Sequence, residues 1–152
     1  DWHAPDEEAE SRAADFAGAL LGTWREAPPA ALEALVARGE ALSLSQLALR
    51  FMIPGLPDIY QGRETGTFAL TDPDNRAPLD PEASVSAFGA RKLTLVKELI
   101  DLRRALPELF AAGSCSVTQG GERLTLSRAQ SGAQVALTVA TDGTAAPELI
   151  RS

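Results

Sequence analysis

The side chains best equipped for chemistry gather between positions 60 and 76: Tyr60, Gln61, Glu64, Asp72, Asp74, Asn75 and Arg76. Two kinds of chemistry fit these residue types. A carboxyl pair works as acid and base when one member is ionised and the other protonated, and Asp72 and Asp74 are the candidates for such a pair. Arg76 shares their loop, however, and a neighbouring guanidinium keeps carboxylates ionised, so neither suits the role of proton donor. The second chemistry is recognition. Planar carboxylate, amide and guanidinium groups bond adjacent hydroxyls in pairs, and an aromatic face such as that of Tyr60 covers the apolar side of a sugar ring. A structural reading stands beside it: Asp72-Pro73-Asp74-Asn75 is also an Asx-type turn, with Arg76 paired to Asp72 or Asp80 to hold the loop. Tyr60 equally fits packing with its hydroxyl tied to a neighbour, and Glu64 equally fits a partner of Arg63 or Arg76.

Other reactive residue types are sparse. The single histidine, His3, and the single cysteine, Cys115, exclude an internal disulfide and a His/Cys zinc cluster. Cys115 reads as a small core residue on a strand, and a terminal histidine gives no sign of a Ser-His-Asp triad. Trp2 and Trp24 read as helix-packing residues.

The elements that must position the loop follow from periodicity. Asp6, Glu7, Glu8 and Glu10 precede apolar Phe16, Leu20 and Leu21, which predicts an amphipathic helix over 5–21 with Pro5 in its first turn and carboxylates at its positive end. After Pro28-Pro29, the spacing of Leu32, Leu35, Val36, Leu42, Leu47 and Leu49 predicts one bent helix or two short ones ending at Pro54, with Gly39 as the break. Leu56 to Tyr60 is short, apolar and bounded by Pro54-Gly55 and Gly62, as a buried strand would be. From Gln61 to about Ser84 no periodicity survives, and a loop of that length commonly serves function. Leu93, Val96, Leu99, Ile100, Ala105 and Leu109 predict a helix that is slowed at Pro107 and stopped near Gly113. The period then changes to two, which predicts short antiparallel strands at 116–118, 123–128 and 135–141, parted by Gly120-Gly121 and Ser131-Gly132.

With 152 residues and 45% hydrophobic side chains, the chain is one domain's length and rich enough to form a core. Its net charge of −7 argues against nucleic acid as a partner, because phosphates call for clustered Lys and Arg. Arg91, Lys92, Lys97, Arg103 and Arg104 stand among Glu98, Asp101 and Glu108 and read as a solvated helix face. No window is apolar enough for a membrane span, and no signal peptide is evident. A reducing cytoplasm is the simpler compartment. The start at Asp1, with Met52 the sole methionine, predicts a processed or recombinant product or a piece of a longer polypeptide.

Pro54-Gly55-Leu56-Pro57-Asp58-Ile59-Tyr60-Gln61-Gly62-Arg63-Glu64 and Asp72-Pro73-Asp74-Asn75-Arg76-Ala77-Pro78-Leu79-Asp80 resemble the last barrel strand and following loop of the α-amylase superfamily of glycoside hydrolases. The closer resemblance is to the maltooligosyl trehalose synthase family, whose stretches look like P-G-V-P-D-I-Y-Q-G-T-E and D-P-D-N-R-R-P-V-D. Leu102-Arg103-Arg104 is similar to the tail of that family's following helix. Leu42-Ser43-Leu44-Ser45-Gln46 is similar to its N-S-L-S-Q stretch, and Asp1-Trp2-His3-Ala4-Pro5 to its S-W-x-x-P stretch. The matches run in family order from Asp1 to about Phe110. Where the family carries L-W-D after the glutamate, this chain has Thr65-Gly66-Thr67, so an aromatic sugar platform and a carboxylate are missing. The second arginine of N-R-R is Ala77.

The resemblance implies an α+β fragment: the last helices and final strand of a (β/α)8 barrel over 1–112, then a small, truncated antiparallel β domain over 113–152. It implies a parent enzyme that isomerises the reducing-end α-1,4 linkage of a maltooligosaccharide to an α,α-1,1 linkage through a covalent glycosyl enzyme, with no cofactor. The three catalytic carboxylates of such a barrel would lie before Asp1, so this chain alone is expected to be inactive. Tyr60, Gln61, Glu64, Asp72, Asp74, Asn75 and Arg76 would line a site for a maltooligosaccharide or trehalose-type sugar. A barrel strand without neighbours leaves its ladder groups unpaired, so self-association or pairing with the missing barrel part is expected. The alternative is a non-catalytic sugar-binding or interaction module that retains the loop. Another amylase-superfamily enzyme is the third reading.

Overall fold

The computed structural model describes residues 3–60, 62–66, 78 and 84–152. The chain divides into two compact units, Asp1–Ala37 and Arg38–Ser152.

In the first unit, α1 spans Glu7–Glu26. Asp6 caps it, its carboxylate accepting from the Ala9 amide at 3.0 Å, so Pro5 lies just outside the first turn rather than in it. Glu7, Glu8 and Glu10 then face the positive end of the helix dipole. Among the described residues α1 buries none of its side chains, and Phe16 and Leu21 stand in solvent at 70% and 54% exposure. Trp24 is half-buried.

α2, Ala30–Met52, is a single helix without a break at Gly39. Leu35 and Val36 are exposed near its start, whereas Leu47, Ala48, Phe51 and Met52 near its end are buried. Those four join Val96, Leu99 and Leu102 of α3 (Ala87–Ala105) and Leu109 and Phe110 of α4 (Pro107–Ala112) in the core of the second unit. The i, i+3 spacing of Val96, Leu99 and Leu102 turns one stripe of α3 inward. Pro107 cannot continue α3 and instead opens α4 in its first turn, so the predicted slowed helix is two helices.

The sheet is a four-stranded antiparallel meander: β1 Ser114–Gly120, β2 Arg123–Gln130, β3 Ala133–Ala140 and β4 Glu148–Arg151, in that order. Ser131 and Gly132, with φ of 50° and 87°, make the two-residue turn between Gln130 and Ala133, the geometry that Ser-Gly between alternating runs predicts. Leu126, Val135, Leu137 and Val139 send the inner face into the core. The edge strand β1 is exposed along its length, and Cys115 with it, so the expectation of a core cysteine is corrected: β1 pairs with β2 alone and buries none of its residues.

A second correction concerns 56–60. No strand forms there, and Leu56 is 94% exposed. An extended segment needs a neighbour to pair its backbone groups, and among the described residues it has none. The Asp58 carbonyl instead accepts from the Arg50 guanidinium at 2.7 Å, and Pro57 has no N–H to offer.

One buried polar atom of α2 stands without a bond: Ser45 Oγ, in a residue 3% exposed, has no partner among the described residues. An unmet hydroxyl in an apolar site contributes nothing to stability, so Ser45→Ala should leave the urea midpoint unchanged or raise it, within about 1 kcal/mol. A clear fall in the midpoint would show that the hydroxyl has a partner after all.

Candidate functional site

The chain turns sharply after Tyr60. The Arg63 amide donates to the Tyr60 carbonyl at 3.0 Å, and Arg63–Thr65 form a single 3₁₀ turn between Gly62 and Gly66. Thr65 closes it, its hydroxyl and amide both donating to the Gly62 carbonyl at 2.9 and 3.1 Å. This turn rests on the start of α3, where Ser86 caps the helix by accepting from the Gly89 amide at 3.0 Å. A β-carbon at Gly89 would lie 2.1 Å from the Thr65 carbonyl oxygen, so the missing side chain is what admits the turn. Gly66 lies against the Phe88 ring, and a β-carbon there would come within 3.2 Å of it. A side chain at this position would need the Phe88 ring to give by a few tenths of an ångström.

Between this turn, α2 and α3 lies a cleft of about 400 Å³. α2 contributes Ser43, Gln46, Leu47 and Arg50, the turn contributes Ile59, Tyr60 and Arg63, and α3 contributes Lys92. Leu47 and Ile59 are its apolar lining, beside three cations, a hydroxyl, an amide and a phenol. Burial pulls the Lys92 ammonium below the ordinary lysine range; Arg63 and Arg50 add to this by repulsion, while Glu64 opposes it. Because that folded-state pKa lies under the unfolded value, charged Lys92 costs stability at neutral pH, and the cost is relieved as pH rises from the folded value toward 10.5. Half-buried and lining the cleft, Lys92 departs from the solvated helix face expected of it. Arg103 departs from that reading too: it turns inward and donates to the carbonyls of Phe51 and Gly55 at 2.7 and 2.6 Å.

Of the residues expected to line a site, Tyr60, 54% exposed, borders the cleft, and Glu64 stands half-buried on the turn beside it. Gln61, Asp72, Asp74, Asn75 and Arg76 lie outside the described residues. Ser43, Gln46, Arg50 and Lys92 are additions. The first two fall in the Leu42–Gln46 stretch, which offered a signal; Arg50 and Lys92 are remote in sequence and offered none. Among the described residues no three His, Cys, Asp or Glu side chains converge as metal ligands, and no helix is long and apolar enough to cross a membrane.

No protein-family model matches the chain. Two curated relatives, each called "Putative maltooligosyl trehalose synthase", from Mycobacterium tuberculosis strains CDC 1551 / Oshkosh and ATCC 25618 / H37Rv, are 38% identical to it over 81 residues. That alignment takes in 51% of this chain and 10% of each relative, so the chain matches about a tenth of their length. A crystal structure of a maltooligosyl trehalose synthase superposes with a TM-score of 0.64 at 24% identity, over 95% of this chain and 22% of the other. The resemblance read from the motifs is borne out, and the α+β fold of helices and antiparallel sheet matches a part of that structure.

Proposed function

We propose that this chain is the C-terminal segment of an enzyme of the maltooligosyl trehalose synthase kind, acting in trehalose formation in the cytoplasm. In this reading residues 1–112 complete a (β/α)8 barrel and residues 113–152 form its appended β domain. The whole enzyme isomerises the reducing-end α-1,4 linkage of a maltooligosaccharide to α,α-1,1, with its catalytic carboxylates outside this chain. Tyr60, Gln61, Glu64, Asp72, Asp74, Asn75 and Arg76 contact the sugar, joined by Ser43 and Gln46.

The observation that carries the reading is a convergence. Two stretches that resemble the family separately, Leu42–Gln46 and Pro54–Glu64, meet across one cleft through Ser43, Gln46, Tyr60 and Arg63. An aromatic face with amide, hydroxyl and guanidinium groups around it is the equipment of a sugar subsite. The bare apolar side chains Phe16, Leu21, Leu35, Val36 and Leu56 also fit a segment whose neighbours in a larger barrel, or in a second copy, cover them.

Calorimetric titration of the 152-residue chain with maltopentaose, with product analysis of the same mixture, tests both halves. Saturable binding with Kd of about 1–10 mM, weakened by Tyr60→Ala and unaccompanied by product, is the expected result. Absence of binding would overturn the sugar subsite, and release of a trehalose-ended product would overturn the assignment of the catalytic carboxylates to another part of the enzyme.

A further inference from the structure

We propose that the free edge of β1 is a dimer seam: two copies of this chain pair their β1 strands antiparallel about a two-fold axis at Val117, joining their sheets into one. The backbone defines the seam. β1 runs unbroken against β2 from Ser114 to Gly120, and its other edge has no neighbouring strand among the described residues. Gly121 and Glu122 form a two-residue turn between the paired Gly120 and Arg123. The closing pair of such a hairpin exchanges both backbone hydrogen bonds, and every second pair after it does the same. Gly120, Thr118, Ser116 and Ser114 therefore spend their amides and carbonyls on β2, while those of Cys115, Val117 and Gln119 point outward. An open edge of this kind is a template for a further strand.

The two edges of the sheet are built differently. β4 has four residues, follows Pro147 and carries Glu148 and Arg151, so short length, proline and charge all guard it. β1 has seven residues, all exposed, and from Gly113 to Gly121 the chain holds neither a charge nor a proline. A second copy fits this edge by symmetry. With Val117 opposite Val117 of the second copy, Cys115 meets Gln119 and Ser116 meets Thr118, so the outward backbone groups match and no charge faces a like charge in a chain of net charge −7. Val117, 56% exposed, gains an apolar neighbour on the face it shares with buried Leu126. The two-fold contact uses up both β1 edges, and the guarded β4 strands left at the ends stop further growth. The seam is independent of the sugar subsite.

Seven residues a side fall short of the roughly 20–30 of a standard interface, so a weak dimer is expected, with Kd of about 100 µM. Sedimentation velocity of the 152-residue chain at concentrations on both sides of that value, with amide hydrogen exchange followed by NMR, tests it. The mass should rise from monomer toward dimer and no further. The Cys115, Val117 and Gln119 amides should gain protection as it rises, whereas those of Ser116 and Thr118 are protected throughout. Val117→Pro removes the central outward N–H, and Val117→Lys sets two like charges against each other; each should weaken the dimer about tenfold or more. Neither removes a bond to β2, and the urea midpoint of each checks that the fold is kept; lysine, at home on an edge strand, carries the test if proline disturbs it. Leu35→Glu, at an exposed apolar position of α2, and Ile150→Lys, on β4, should leave association unchanged. A monomer at every concentration, which would leave the edge to some other strand, overturns the proposal. So do growth beyond the dimer, association that survives Val117→Lys, and association abolished by Leu35→Glu, which would transfer the contact to the exposed helix faces.

Discussion

Arg128→Met is expected to lower the unfolding free energy by about 3–5 kcal/mol. Arg128 stands two residues before the end of β2 at 1% exposure, and its hydrogen bonds go to backbone carbonyls. Its Nε donates to Ser114, one terminal nitrogen to Met52, and the other to Leu109, Phe110 and Gly113, all at 3.0–3.2 Å. The Ser114 carbonyl opens β1; the other four lie at the ends of α2 and α4, where carbonyls lack intrahelical partners and the dipole is negative. One guanidinium therefore ties the sheet to two helix ends. Arg103 reinforces it from α3, and both cations lie over the Phe110 ring, at 4.6 and 5.6 Å from its centre.

The sign of this prediction depends on what the partners are. Replacing both members of a buried ion pair by apolar residues is often neutral, because no charge is left stranded. Here the partners belong to the backbone and remain in place, so methionine fills the volume but leaves buried acceptors unmet. Against a typical domain stability of about 5–15 kcal/mol, this loss approaches the limit of folding. Urea unfolding of Arg128→Met and Arg128→Lys checks it. Lysine should recover part of the loss, since an ammonium can reach one or two of the carbonyls but has no fork. A methionine variant within about 1 kcal/mol of the parent would remove Arg128 from its place as the tie between the layers.

What the sequence disclosed and what it withheld divide along physical lines. Periodicity is a local property, so α1, α2, α3 and the alternation of β2 and β3 were legible from apolar spacing alone. β4 escaped notice because Glu148–Arg151 has only four residues, too few to establish a period. The run at 56–60 misled because an apolar stretch says that it prefers burial, not that a partner strand is present to receive it. Charge misled in a similar way. Arg103 and Lys92 have the composition of a solvated face, yet the helix turns Arg103 toward the end of α2 and Lys92 into a cleft. Arg128 alternates with apolar Leu126 on the inner face of β2, and nothing in the sequence marks the carbonyls that accept from it. The cleft was half legible: Tyr60 and Glu64 came from the loop, whereas Arg50 and Lys92 become neighbours only when α2 and α3 pack.

Gly89→Ala should destabilise the fold by about 1–3 kcal/mol and weaken ligand binding in the cleft about tenfold, against the intrinsic preference of a helix. In an open helical position alanine is better than glycine by about 1 kcal/mol. Gly39 is such a position, with nothing within 4 Å of a β-carbon, so Gly39→Ala should stabilise by about that amount. At Gly89 the new methyl would meet the Thr65 carbonyl oxygen at 2.1 Å and the Val85 side chain at 2.9 Å. The first contact is with backbone, which cannot rotate aside, so the whole turn at Arg63–Thr65 must lift from α3. Arg63 and Glu64 then move away from Lys92. Loss of burial and of Arg63 repulsion raises the Lys92 pKa, and loss of Glu64 attraction lowers it; burial is the largest of these influences, so the net movement is upward toward 10.5. NMR titration of the Lys92 ammonium in both glycine variants, alongside urea unfolding, reads the outcome. A rise in the Lys92 pKa with lost stability in Gly89→Ala alone ties the turn to the cleft. If Gly89→Ala instead behaves like Gly39→Ala, the close approach of the turn to α3 does not hold the cleft together.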